Sequence, residues 1–188
     1  MAVHTAAHAA PSNPLRMKQI GLWLFILSES FLFSALISGR YYILGLDKPP
    51  ELNQTLGFAI TTVLLLSSLT AYRAEMFASF GRRTDLRWSL LATIVLGVLF
   101  VGGVAVEWSE AFLHFPPGSA FGTLFFSLTG LHAFHVLSGM AVLLVVYNQV
   151  RRGSYGQGDT WGVEGAVKYW HFVDVAWVFI YPTLYLVG

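Results

Sequence analysis

Residues 88–106 read WSLLATIVLGVLFVGGVAV, a stretch with no ionisable side chain. A helix needs roughly 20 mostly apolar residues to cross the hydrocarbon core of a bilayer. This stretch therefore predicts a membrane-spanning helix, which we extend to residues 88–112. Four other segments support the same prediction: residues 19–46, 52–80, 118–150 and 166–187. The predicted fold class is all-α, an integral membrane bundle of five transmembrane helices.

The composition agrees with a chain that is solvated by lipid. Of its 188 residues, 55% are hydrophobic and only 11% are charged, and the mean hydropathy is +0.62. A soluble domain carries about 25% charged residues, so much of this chain's surface must face lipid. The sequence contains no cysteine, which excludes disulfides, thiolate metal sites and iron–sulfur clusters. The formal net charge of +1 argues against nucleic acid as a partner.

We predict two regions, a disordered cytoplasmic tail at residues 1–15 and a single five-helix membrane domain at residues 16–188. The tail has neither the apolar core of a secretory signal nor the arginines of a mitochondrial presequence. Turn-forming residues separate the predicted helices: Lys48-Pro49-Pro50, Gly81-Arg82-Arg83, Pro116-Pro117-Gly118 and a glycine-rich segment at residues 152–165. We detect no internal repeat, which argues against a transporter built from inverted repeats.

The positions of the basic residues predict the orientation. With five spans, the tail, the second loop and the fourth loop lie on one side of the membrane. Of the 11 lysines and arginines, all except Arg40 and Lys48 lie at or near that side. Because cytoplasmic loops carry the excess of basic residues, the N-terminus is predicted to be cytoplasmic and the C-terminus to lie outside.

Small residues in the spans indicate where helices approach each other. They include Gly97, Gly102 and Gly103 in the third span, and Gly130, Ser138 and Gly139 in the fourth. Such residues allow close approach of backbones in lipid, and ordinary bundle packing is the interpretation that we prefer.

Glu29 lies deep within the first predicted span. It follows Lys18 by a distance of roughly 16 Å at 1.5 Å per residue, near the middle of a hydrocarbon core about 30 Å thick. Removal from water disfavours the charged form of a carboxyl group. Glu29 is therefore predicted either to relay protons or bind a partner subunit, or to form a hydrogen bond across a helix interface as a neutral acid.

Three histidines and an aspartate also lie within the spans. His132 and His135 share one face of the fourth span, and His171 and Asp174 share one face of the fifth. Histidines in a membrane suit haem or copper, but two histidines three residues apart cannot be opposite axial ligands of one haem. His–Asp contacts between helices explain the same residues without a metal. Because no nucleophile, phosphate-binding or zinc-protease motif occurs, we predict no catalytic residue and no metal ligand.

Two acidic residues mark the end of the third span. Glu107 and Glu110 flank Trp108, and all three are expected at the outer interface, where aromatic belts occur. We interpret Glu107 and Glu110 mainly as boundary residues.

Three strings in the chain resemble subunit III of the haem-copper terminal oxidases. Residues 23–33, WLFILSESFLF, resemble its Ser–Glu helix, and residues 128–139, LTGLHAFHVLSG, resemble its T-G-x-H-x-x-H-V-x-x-G motif. Residues 164–177, EGAVKYWHFVDVAW, resemble its terminal W-H-F-V-D-x-x-W helix almost letter for letter. The acidic and aromatic cluster at residues 106–110 also matches that family. The strings occur in the expected order on the expected spans.

The resemblance implies a subunit that binds neither haem nor copper, since these lie in partner subunits. It would pack mainly on subunit I, with subunit II and other small subunits nearby, and would bind membrane phospholipid. Cytochrome c or another electron donor would act on the complex, and subunit III would sustain proton uptake and durability during turnover. The family's buried polar positions correspond to Glu29, His132, His135, His171 and Asp174, and its terminal-helix motif to Glu164, Trp170 and Trp177.

The chain departs from the longer family members in one respect. Those members have two further N-terminal helices, which form a lipid-filled cleft with the other five. The short form and the lack of a presequence favour a bacterial plasma membrane as the location. Glu29 favours a cytochrome c oxidase, because related subunits of quinol oxidases and nitric oxide reductases tend to have aspartate there.

Two hypotheses from other classes remain open. One is a free-standing haem-binding membrane enzyme that uses the three histidines. The other is a small transporter whose ion path contains Glu29 and Asp174.

Overall fold

The described part of the chain, residues 13–46, 52–153 and 160–187 of a computed structural model, is helical almost throughout. Its α-helices are α1 Pro14–Leu44, α2 Gln54–Ser79, α3 Arg83–His114, α4 Ala120–Arg151 and α5 Trp161–Tyr181, and a π-helical turn at Pro182–Leu186 extends α5. No strand occurs within those ranges. The predicted all-α bundle of five helices is confirmed.

Helices α1 to α4 are long and apolar enough to cross a membrane. Helix α5 is shorter, and it carries Glu164, Lys168 and Asp174. Its last turn leads directly into the π-helical turn, so the helical path runs on from Trp161 to Leu186. The bundle as a whole is therefore that of a membrane protein.

Capping side chains determine where three of the helices begin. The side-chain oxygens of Asn13, Asn53 and Ser119 accept hydrogen bonds from backbone N–H groups in the first turns of α1, α2 and α4, at 3.0–3.1 Å. Helix α1 thus begins at Pro14, within the region predicted as a tail, because Asn13 caps it and a proline is tolerated in a first turn. The rest of that predicted tail, residues 1–12, lies outside the described ranges.

Helices α2 to α5 form the compact part of the bundle. Helix α3 packs between α2 and α4, and α5 packs against both α4 and α2. Helix α1 packs on the outside, against α4 and α5. Its buried residues are Ile26, Phe33 and Arg40, which are spaced seven residues apart and so form a single seam along one face.

Trp170 is inserted into the centre of the bundle through two glycine gaps. A Cβ atom on Gly97 of α3 would lie 2.8 Å from Trp170 Cη2, and a Cβ on Gly139 of α4 would lie 3.0 Å from Trp170 Cε3. Gly103 of α3 similarly makes room for Ile60 of α2, because a Cβ on Gly103 would lie 2.3 Å from Ile60 Cγ2. A Cβ on Gly102 would lie more than 4 Å from any described side chain. Only some of the small residues therefore serve helix packing.

Candidate functional site

The central polar contact joins α1 to α4. Glu29 Oε2 lies 3.1 Å from His135 Nε2, and His135 Nδ1 lies 2.8 Å from the carbonyl oxygen of Leu131. The carbonyl can only accept, so Nδ1 carries a hydrogen and donates it. One further proton is then shared between Nε2 and Oε2. Whether it resides on the imidazole or on the carboxyl group, the pair has no net charge.

Ser138 and Tyr169 hold the backbone on which His135 lies. Ser138 Oγ donates to the His135 carbonyl oxygen at 2.8 Å and lies 2.7 Å from Tyr169 Oη. Tyr169 Oη also lies 3.4 Å from the same carbonyl oxygen. Tyr169 belongs to α5, so the Glu29–His135 pair is supported by side chains from α1, α4 and α5.

His132 lies one turn from His135 but has different surroundings. It is fully buried, and neither ring nitrogen has a hydrogen-bond partner among the described residues. Its ring centroid lies 4.7 Å from that of Trp177 and 5.5 Å from that of Phe100, with Phe33 at 6.4 Å. His132 is thus enclosed by aromatic rings, and the shared helix face predicted for the two histidines does not make them one site.

His171 and Asp174 meet within α5 and not across a helix interface. His171 Nδ1 lies 3.8 Å from Asp174 Oδ2, and it lies 2.8 Å from Ser68 Oγ of α2. Asp174 is 4% exposed, and its two oxygens have no hydrogen-bond partner in the described ranges. The sequence predicted His–Asp contacts between helices. The contacts between helices are instead those of His135 with Glu29 and of His171 with Ser68.

The two tryptophans of the terminal helix tie α5 to α2. Trp170 Nε1 donates to Ser67 Oγ at 3.0 Å, and Trp177 Nε1 donates to Thr61 Oγ1 at 2.9 Å. Both tryptophan side chains are fully buried. These bonds satisfy indole N–H groups that would otherwise be buried without a partner.

Glu107 and Glu110 differ in their surroundings although both were expected at the interface. Glu107 is only 3% exposed, and Tyr185 Oη donates to its Oε1 at 2.5 Å. Glu110 is exposed, and Asn53 Nδ2 lies 3.4 Å from its Oε2. Glu107 is thus a buried group of the bundle, because the π-helical turn after α5 places Tyr185 over it.

A separate ionic group lies at the predicted cytoplasmic end. Lys168 Nζ lies 3.3 Å from Glu75 Oε1 of α2 and 3.6 Å from Glu164 Oε2 of its own helix. Thr160 Oγ1 also donates to Glu164 Oε1. Glu164 of the terminal motif therefore contacts Thr160 and Lys168 near the start of α5 and does not join the central pair.

The sequence left several polar residues of the site unassigned. Tyr169, Tyr185 and Ser68 were not predicted to take part, because tyrosine and serine are common in spans for packing alone. Arg40 was counted as a basic residue near the outer side, but it is fully buried, and its Nη1 donates to the Gly45 carbonyl oxygen at 2.8 Å. The available signal was Ser138, which follows His135 by three residues and so lies on the same helix face.

No group of three or more potential metal ligands from His, Cys, Asp and Glu occurs within the ranges that the structure describes. The central histidines instead make the contacts given above, to a carboxyl group, to aromatic rings and to a hydroxyl group.

Comparison with known proteins identifies the family. The profile of cytochrome c oxidase subunit III matches residues 6–188. Cytochrome c oxidase subunit 3 of Branchiostoma lanceolatum is 36% identical in an alignment of 180 positions, gaps included, that covers 89% of this chain and 68% of the relative. That of Neurospora crassa is 34% identical in an alignment of 181 positions that covers 90% of this chain and 67% of the relative. The probable cytochrome c oxidase subunit 3 of Rickettsia felis is 32% identical in an alignment of 200 positions that covers 94% of this chain and 71% of the relative. The residues that suggested the resemblance thus lie in a chain that belongs to the cytochrome c oxidase subunit III family, one subunit of a respiratory oxidoreductase complex.

Proposed function

We propose that this chain is subunit III of a proton-pumping cytochrome c oxidase in a bacterial plasma membrane, with its N-terminus in the cytoplasm. It packs on subunit I near subunit II and other small subunits, supports proton uptake and stabilises the complex during turnover. The chain itself carries no catalytic centre and binds no haem or copper, and phospholipid is its bound small molecule.

The Glu29–His135 pair is the observation that carries this proposal. It holds one exchangeable proton at the contact between α1 and the rest of the bundle. Because the pair is neutral with the proton in either position, the proton can shift between the two side chains without placing a net charge in the membrane. A role next to a proton-uptake path suits such a pair better than a role in oxygen chemistry.

The environment of helix α1 supports docking to a larger subunit. Although α1 is long enough to span the membrane, it buries only one seam of side chains in this chain. Large apolar side chains such as Trp23, Leu27 and Phe31 are more than half exposed on its remaining surface. Because so few side chains of α1 are buried within this chain, a partner subunit that covers more of the helix stabilises it.

Co-purification tests the proposal. The tagged chain is extracted from the membrane in mild detergent, and visible spectra and subunit masses are recorded for the material that binds with it. Haem signals are expected together with larger partner subunits, and they should disappear when the chain is separated from those partners. Haem that remains with the isolated 20.8 kDa chain would make the histidines ligands and support the free-standing haem enzyme instead.

The electron donor distinguishes the close alternatives. The purified complex is expected to oxidise reduced cytochrome c and to consume oxygen. Oxidation of quinol but not of cytochrome c would make the chain a quinol oxidase subunit, and reduction of nitric oxide would make it an accessory subunit of that reductase. Ion uptake by the chain alone in liposomes would support a transporter that uses Glu29 and Asp174.

A further inference from the structure

A cavity at the predicted outer end of the bundle contains the two acidic residues near the end of α3. Its volume is about 110 Å³, and its polar lining consists of Glu107, Glu110 and His114 of α3 and Asn53, the capping residue of α2. The other lining residues are apolar: Leu52, Ala111, Leu113 and Phe115. None of these residues has a role in the proposed function.

Glu107 has a buried oxygen without a partner at this cavity. Its Oε1 accepts the hydrogen bond from Tyr185 Oη, whereas its Oε2 is buried and has no hydrogen-bond partner among the described residues. A buried carboxylate without a compensating partner is costly, and a protonated Oε2 would instead leave an O–H donor without an acceptor. A cation that binds Oε2 removes this cost, because it compensates the charge of the carboxylate.

The surroundings of Glu107 add negative charge and little positive charge. Glu110 brings a second carboxyl group one helical turn further along α3, and Asn53 Nδ2 donates to its Oε2 at 3.4 Å. Within the described ranges, no lysine or arginine lies within salt-bridge distance of either glutamate. His114 donates from Nδ1 to the Glu110 carbonyl oxygen at 3.0 Å, which a neutral imidazole can do. The cavity therefore favours a cation.

The number and type of the ligands indicate which cation fits. Two carboxylates are fewer than the three or four side chains that usually hold zinc. Magnesium and calcium prefer oxygen ligands, and they can be bound through one or two carboxylates while water completes the coordination shell. A water molecule needs only about 10–15 Å³ of such space, so the cavity has room for a cation with several waters.

We propose that Glu107 and Glu110 bind a hard divalent cation, Ca²⁺ or Mg²⁺, at the outer end of α3. Glu107 Oε2 and the Glu110 carboxylate are its protein ligands, and water supplies the other oxygens. The cation thereby removes the repulsion between two carboxylates on one helix. The inference depends neither on the electron donor nor on the Glu29–His135 pair.

Glutamine variants test the two proposed ligands. Glu107→Gln retains the hydrogen bond from Tyr185, because the amide oxygen of glutamine can accept it. Glu110 is exposed, so Glu110→Gln should not disturb the fold. Glu75→Gln is the matched control, since it removes the same charge from a glutamate that pairs with Lys168 at the other end of the bundle.

The experiment counts calcium bound to the purified oxidase complex. Divalent cations are removed with a chelator, and the complex is then dialysed to equilibrium against radioactive Ca²⁺ over a range of concentrations. We expect Glu107→Gln and Glu110→Gln each to weaken one Ca²⁺ site per complex at least about tenfold, because even a residue that only supports a metal ligand contributes about 10–100-fold in affinity. Glu75→Gln and His114→Asn should bind as the wild type does. Haem and subunit content should be the same in all variants, which separates this test from that of the proposed function.

Three outcomes would overturn the inference. The first is a wild-type number and affinity of Ca²⁺ sites in Glu107→Gln or in Glu110→Gln. The second is equal weakening by Glu75→Gln, which would indicate a general effect of charge on the complex. The third is loss of the site in His114→Asn together with tighter binding of Zn²⁺ than of Ca²⁺, because the site would then belong to a transition metal with a histidine ligand.

Discussion

At the scale of single residues, Glu29 contacts a partner on another helix, His135 of α4. Its depth in the membrane follows from the sequence, because depth depends only on the position along one helix. Its contact with His135 does not follow, because the two residues are far apart in the chain and the helix order around the bundle decides which side chains meet. The same reason explains why Tyr185 was not predicted to cover Glu107.

Substitution of Glu29 by glutamine tests the proton of the Glu29–His135 pair. A glutamine amide can donate a hydrogen bond to His135 Nε2, as a protonated carboxyl group does, but it cannot give up the proton. We therefore expect Glu29→Gln to leave assembly and haem content unchanged and to lower proton-coupled turnover. Oxygen consumption and proton release are measured on the same proteoliposomes.

A neighbouring serine gives the control for this variant. Among the described residues, Ser30 Oγ donates to the Ile26 carbonyl oxygen of its own helix, at 2.7 Å, so Ser30→Ala should leave both rates at the wild-type level. Glu29→Ala is less informative, because it also opens a void. Wild-type turnover in Glu29→Gln would show that Glu29 is a structural residue.

At the scale of helices, the sequence predicts the spans well and their ends less well. Each predicted span lies mostly within an observed helix, because a long apolar stretch in lipid must form a helix to satisfy its backbone. Helix α3, however, begins at Arg83, before the predicted start at residue 88. Its polar first turn contains Asp85, which pairs with Arg82 and is invisible to a search for apolar residues.

Adjacent glycines in α3 test the packing of α3 on α2. A Cβ on Gly103 would lie 2.3 Å from Ile60 Cγ2, which is attached directly to the Ile60 Cβ and has little freedom to move away. Gly103→Ala should therefore lower the free energy of unfolding by about 1–3 kcal/mol, the usual effect of overpacking. Thermal or denaturant unfolding of the complex in detergent measures the change.

Gly102→Ala is the matched control, because a Cβ on this preceding residue of the same helix would lie more than 4 Å from any described side chain. It should leave stability unchanged or raise it slightly, since alanine favours a helix more than glycine does. Equal effects of the two substitutions would mean that α2 and α3 do not pack through Gly103.

At the scale of the whole molecule, the number of helices was predictable, but their arrangement was not. Apolar side chains surround these helices, so the sequence does not show which face of a helix turns inward. That α1 packs outside the group of α2 to α5 became visible only in the structure. The family motifs contain the half-buried Glu29 and the buried His132, His135 and Asp174, but not the buried Arg40.

The orientation of the bundle can be tested because the chain contains no cysteine. Ser79 at the end of α2 and Gly118 before α4 are both exposed. A Cβ on Gly118 would lie more than 4 Å from any described side chain, and its backbone is not in the left-handed region that favours glycine. Single Ser79→Cys and Gly118→Cys variants therefore place one thiol at each end of the bundle with little disturbance. The distribution of basic residues predicts that residue 79 faces the cytoplasm and residue 118 faces outward.

A maleimide that cannot cross membranes should label Gly118→Cys in intact spheroplasts. It should label Ser79→Cys only after the cells are made permeable, and it should not label the parent chain. The opposite pattern would invert the bundle and place residue 118 in the cytoplasm. Because the excess of basic residues at one end is what predicts the orientation, this measurement tests that physical basis directly.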